Sequence, residues 1–126
     1  MENDLIQYIE AGVPELKGYI YPVYGTETEH PILVYGTVPL TTGVVSESQL
    51  NIKIVAKKYD DCKRLVKKVT DTLDMSKNSV YKIIKKTRLR CIQSGGAEPI
   101  AYEVGGSEMF EAALYFIVKW RKLNGE

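Results

Sequence analysis

The chain has 126 residues, 44% of them hydrophobic, and a formal net charge of +1. That length suits one domain around one core, and no apolar run approaches the roughly 18 to 20 residues needed to cross a bilayer. The first residues, Met1 to Asp4, are polar and acidic where an export signal would be basic and then apolar, so the expectation is one cytoplasmically made domain over 1–126.

In chain order, Asn3 or Asp4 is expected to cap a short helix carrying Leu5, Ile6 and Ile9, which Gly12 and Pro14 end. Gly18 to Tyr24 reads as a strand rich in Tyr, and Pro22, which cannot donate to a ladder, favours a sheet edge. Thr26 to Pro31 is a polar loop. Ile32 to Val38 is apolar on both faces apart from Thr37, which predicts a central, covered strand. Pro39 to Ser46 reads as a loop around Gly43.

The strongest signal follows. Leu50, Ile52, Ile54 and Ala56 alternate along one strand face, and the period then changes to the helical spacing of Cys62, Leu65, Val66, Val69 and Leu73. A strand over Ser48 to Lys58 therefore feeds a helix over Asp60 to Asp74, with Lys63, Arg64, Lys67 and Lys68 opposite its apolar stripe. Val80 to Ile92 reads as a basic strand with an irregularity near Ile84. Ser94, Gly95 and Gly96 read as a turn, Pro99 to Val104 as a brief strand, and Gly105 and Gly106 as another turn. Met109 to Arg121 places Ala112, Leu114, Phe116, Val118 and Trp120 on one face, while the other is half apolar. The predicted class is α+β: a mainly antiparallel sheet with two helices packed on one face, in the order α-β-β-β-α-β-β-β. Surplus apolar strand surface points to self-association.

The small net charge hides a segregation. Between Lys53 and Arg90 thirteen Lys or Arg face four Asp, a balance of +9, while the remainder carries four basic and twelve acidic residues, a balance of −8. Such a division suits a phosphate-binding face, a contact between oppositely charged faces of identical neighbours, or a solvated surface.

Residues for catalysis are not assembled. The one histidine, His30, stands before Pro31 with no nucleophile motif beside it, and Glu27 and Glu29 have no companion acids to complete a metal site. The glycine pairs lack the following helix that would make them phosphate cradles. Cys62 and Cys91 read as small core residues, being too few for a disulfide framework and unpaired in spacing for zinc. The nine tyrosines, Tyr59 and Tyr81 among them, suit strand positions better than base stacking, for no aromatic and glycine signature of an RNA-binding sheet accompanies them. No catalytic residue, cofactor or metal is expected.

Three runs together resemble the tail terminator and tail-to-head joining proteins of long-tailed bacteriophages. They are His30-Pro31-Ile32-Leu33-Val34-Tyr35-Gly36, the strand and helix start from Gln49 to Asp61 with Leu73-Asp74 closing the helix, and Phe110 to Arg121. The resemblance implies a non-enzymatic α+β subunit of a closed ring, commonly six-fold, that caps the finished tail tube in the virion neck. It further implies contacts with copies of itself, with the major tail tube protein and with the head completion or connector protein, a passage for genome DNA through the ring, and no membrane. For subunit contacts the charge pattern suggests Lys63, Arg64, Lys67 and Lys68 of one copy against Glu98, Glu103 and Glu108 of the next. For axial contacts the loops suggest Leu40, Thr41, Thr42, Gly43, Val44, Gly95, Gly96, Gly105 and Gly106. The alternative reading is a nucleic-acid-binding module using residues 53–90, with Lys63, Arg64, Lys82 and Lys85 prominent.

Overall fold

The computed structural model describes residues 2–22, 30–41, 45–77, 81–96, 98–104 and 106–123. Helix α1 (Glu2–Gly12) buries Leu5 and Ile9, two of the three positions expected to be apolar, while Ile6 is partly buried against the core. It begins earlier than expected, so Asn3 and Asp4 lie in its first turn instead of capping it. There the Asp4 carboxylate accepts a 2.7 Å hydrogen bond from the Oγ1 hydroxyl of buried Thr87, which ties the helix start to the sheet. Gly12 is the last helical residue, and its role is close approach: a Cβ there would stand 2.6 Å from Thr72 Cγ2 on the second helix. A 3-10 turn over Pro14–Leu16 follows and buries Leu16.

The sheet has seven strands: β1 (Ile20–Pro22), β2 (Ile32–Thr41), β3 (Ser46–Ala56), β4 (Lys82–Ile84), β5 (Thr87–Gly96), β6 (Ile100–Val104) and β7 (Ser107–Lys122). Their spatial order is β1-β2-β3-β7-β5-β4, and β6 pairs with the first part of β7 beyond the reach of β5. All pairs are antiparallel except β1 with β2, where β1, with Pro22, takes the edge its proline favours. Helix α2 (Tyr59–Leu73) lies across β3, β7 and β5, and α1 packs on α2 and β4. The element order matches the expected α-β-β-β-α-β-β-β once β4 and β5 are counted as the one strand read there. The stretch read as one strand over Val80 to Ile92 is folded back on itself between Lys82–Ile84 and Thr87–Gly96.

One core explains this layering. Leu50, Ile52, Ile54 and Ala56 of β3, with Ala112, Leu114, Phe116 and Val118 of β7, meet Cys62, Leu65, Val69 and Leu73 of α2 and the two apolar positions of α1. Side chains two apart on a strand share a face, and those three or four apart on a helix share a stripe, so the two periods interlock. The opposite sheet face carries a smaller cluster at one corner only, where Ile32, Val55 and Met109 are buried under Tyr19, Tyr21, Val34 and Tyr102. Among the described residues no helix covers the rest of that face.

Three further boundaries differ from expectation. Strand β2 runs on through Pro39, Leu40 and Thr41, with a register shift there, so Leu40 and Thr41 belong to a strand and not to a loop. Gly95 and Gly96 do not make a turn; they continue β5 past a bulge between Gln93 and Gly95, opposite Tyr115 and Leu114. Gly106 does turn the chain, with φ of 83°, a conformation open to glycine without steric cost. Thr42, Gly43, Val44 and Gly105 lie outside the described residues, as do Glu27 and Glu29.

Candidate functional site

The cations of helix α2 are already engaged within the chain. Arg64 grips Glu15 with its two terminal guanidinium nitrogens, one of them at 3.1 Å, and Lys68 reaches the same carboxylate at 3.2 Å. This clamp fastens the 3-10 turn after α1 to α2. The Arg64 guanidinium, against the opposing effect of burial, holds the Glu15 carboxyl below its ordinary range. Lys67 pairs with Asp71 at 3.1 Å one helical turn on, a helix-surface pair of the usual spacing. Lys63 stands 5.7 Å from the centre of the Tyr59 ring and 3.8 Å from Glu98. Of the residues assigned to subunit contacts, the structure thus brings Lys63 and Glu98 together in one chain, and leaves Glu103 and Glu108 apart from all four helix cations.

A second basic group, partly outside the segment 53–90, emerges on the helix-free face. Strand register sets Arg88 opposite Arg121, and Arg90 opposite Lys119. Arg88, Lys119 and Arg121 are exposed and Arg90 is half-buried. Arg88 lies over the Tyr81 ring at 5.3 Å, and none of Arg88, Lys119 and Arg121 has an ion pair with a carboxylate of the described residues. Like charges set directly across a ladder disfavour it, and Glu47, across the β3–β7 ladder from Lys119, offsets part of that repulsion. Lys119 and Arg121 were missed in the sequence because they stand thirty residues from Arg88 and Arg90; only the pairing of β5 with β7 joins them.

The other end of β7 carries the opposite sign. In the β6–β7 hairpin Glu103 pairs in register with Glu108, both exposed, and among the described residues neither carboxylate meets a cation. Glu111, further along, is held by Lys53 at 3.2 Å. The end of the β2–β3 pair is apolar instead: Val38, Leu40 and Val45 are 48%, 45% and 49% exposed.

Elsewhere the polar groups have structural partners. His30 stacks on Tyr19, with ring centres 3.6 Å apart, and its Nδ1 donates to the Pro31 carbonyl at 2.7 Å. Cys62 and Cys91 are free thiols buried in the core, as expected, and burial pushes them up to about 11 and about 12. Burial also pushes the Asp74 carboxyl up, but backbone N–H groups of Gln93 and Ser76 and the Ser76 hydroxyl outweigh it and hold it low. An open cleft of about 760 Å³ between the start of α1 and the sheet is lined by Glu2, Asp4, Ser48, Thr87, Trp120 and Lys122. Within it Trp120 Nε1 donates to Ser48 Oγ at 3.2 Å and Thr37 donates to Glu2 at 3.0 Å. Among the described residues no cluster of His, Cys, Asp and Glu could hold a metal, and no helix is long and apolar enough to cross a membrane.

No protein-family model matches the chain, and no curated protein matches it either. Its fold is similar to that of a chain in the virion of a native gene transfer agent (GTA) particle, with a TM-score of 0.52 and 15% sequence identity. That match covers 89% of this chain and 83% of the other, so the likeness extends over most of the architecture.

Proposed function

We propose that the chain is a structural virion subunit that assembles as a homo-oligomeric ring at the head-proximal end of a phage tail. There it terminates the tail tube and joins it to the head connector, without bond-making chemistry. The observation that carries this reading is the fold shared with a virion protein over 89% of the chain. The resemblance in the sequence runs supplies the finer role: a ring, six-fold in the common case, seated in the virion neck, with a passage for genome DNA. Two structural features fit it. Among the described residues no helix covers most of one sheet face, and the exposed apolar residues Val38, Leu40 and Val45 cluster at the β2–β3 end, a surface suited to the tail tube protein or the connector.

Electron microscopy of particles lacking this chain tests the role. Overlong tails, or tails separate from heads, are the expected outcome; normal, joined tails contradict it.

The nucleic-acid reading keeps one specific observation in its favour, the facing pairs Arg88 with Arg121 and Arg90 with Lys119. In that reading the apparent binding constant falls with salt, and Arg88→Ala with Arg121→Ala flattens the dependence. Lys63, Arg64, Lys67 and Lys68 contribute less, because each already has a carboxylate partner.

A further inference from the structure

At one end of the sheet, residues from four neighbouring strands converge. Val45 immediately precedes β3, Arg121 is close to the end of β7, Arg88 is close to the start of β5, and Tyr81 immediately precedes β4. Together with Trp120 they line a half-open hollow of about 130 Å³. Its wall is almost wholly apolar, so Arg88 and Arg121, both exposed, border it with their aliphatic stems and keep their charged heads in water. Arg88 also lies over the Tyr81 ring at 5.3 Å, a cation–π contact that steadies one side of the hollow. Arg90 and Lys119 are not part of it: Arg90 has an interaction within the chain, and Lys119 faces Glu47 across β3–β7.

Size and lining define what fits. An apolar cavity of about 150 Å³ takes up a benzene ring, so one branched aliphatic or aromatic side chain fills this hollow. A phosphate would meet apolar wall where it needs donors, whereas a carboxylate beside an inserted apolar side chain matches the arginines at the rim. Tyr, Trp and Arg are also the residue types that supply most of the energy of protein contacts. The exposed Val38, Leu40 and Val45 extend the same surface onto the β2–β3 end.

We propose that this hollow docks a segment of the tail tube protein, which inserts one apolar side chain and sets flanking carboxylates against Arg88 and Arg121. This rests on the tail-end reading above and deepens it by naming the chemistry that the tube presents. The hollow is built where β3, β5 and β7 begin or end, so it faces a partner stacked on the end of the subunit, as a tube is, more directly than a copy beside it.

The probe is the purified tail tube formed without this chain, and co-sedimentation of the full-length chain with it is measured over a range of salt. Val45→Asn makes part of the wall polar, and Arg88→Glu with Arg121→Glu reverses the charge at the rim. All three positions are exposed, and circular dichroism with thermal melting verifies that each variant folds. Each variant should bind tubes at least about tenfold more weakly than the wild type, the loss expected of a central contact residue. Added salt should narrow the deficit of the arginine variant, since screening acts within about 8 Å at physiological ionic strength, and should leave the Val45→Asn deficit in place.

Tube binding that both variants preserve overturns this docking site and leaves the tail-end reading standing. A loss confined to the arginine variant reduces the contact to charge alone and overturns the inserted side chain. Variants that bind tubes normally but leave tails unjoined to heads assign the surface to the connector, and variants that lose only DNA retention assign it to nucleic acid; either result overturns the proposal. A wild type that does not bind tubes overturns both the docking site and the reading beneath it.

Discussion

Single residues separate the charges that hold the fold from those left over. Glu15 belongs to the first group, gripped by Arg64 and Lys68. Its carboxyl is lowered from an ordinary value of 4.5, so the clamp stabilises the native state fully above that value and is lost as pH falls through the lower folded one. The three side chains are partly exposed, and solvent screening keeps the effect small. Glu15→Gln should cost about 0.2–1 kcal/mol at neutral pH, and a urea titration at about pH 3 should show little difference from wild type. Asp74 is held by three donors, two of them backbone N–H groups, one across on β5. Removing it leaves those donors unmatched, so Asp74→Ala should lower stability by about 1–3 kcal/mol in the same measurement. The cysteines make a third case: both thiols are buried and raised, so a thiol reagent at neutral pH should label neither in the folded chain and both in denaturant. Their core role was legible because Cys62 falls on the apolar stripe of a helix and Cys91 alternates with Leu89.

Among the elements, legibility followed periodicity. The change from alternation at Leu50–Ala56 to helical spacing at Cys62–Leu73 located β3 and α2, since a long amphipathic pattern constrains every residue in it. The β4–β5 hairpin was hidden because its two turn residues are Lys85 and Lys86, not the asparagine and glycine that usually mark such turns. Lys85 adopts φ of 53°, where a side chain with a Cβ is disfavoured by roughly 1–2 kcal/mol. Lys85→Gly should therefore stabilise the domain, by up to about 1 kcal/mol in chemical denaturation after the greater entropy of unfolded glycine is counted. The glycines of β5 misled in the other direction. A Cβ on Gly96 would come within 3.1 Å of the Leu114 side chain and 3.3 Å of the Ala113 carbonyl, so glycine there serves close approach inside a strand, not a turn. A lone pair of glycines in a sequence does not distinguish those uses.

On the scale of the whole molecule, the sequence displayed the separation of charge but not its geometry. The count of cations between Lys53 and Arg90 drew attention to α2, whereas the fold consumes those cations in ion pairs with Glu15, Asp61, Asp71 and Glu98. Arg88, Lys119 and Arg121 are gathered by register instead, from residues far apart in the chain, and no linear pattern announces it. The chain has a well-filled core on one side of its sheet, a second face that carries a smaller cluster at one corner and that no helix of the described residues covers, and opposite charges at the two ends of its longest strand. On the proposed reading, these features suit a part that contacts copies of itself. The most direct test is the mass of the purified chain by multi-angle light scattering, alone and with tail tubes, alongside negative-stain images. The account predicts a closed ring of several copies, six in the expected case, in at least one of those conditions; a monomer in both, at high concentration, would contradict it.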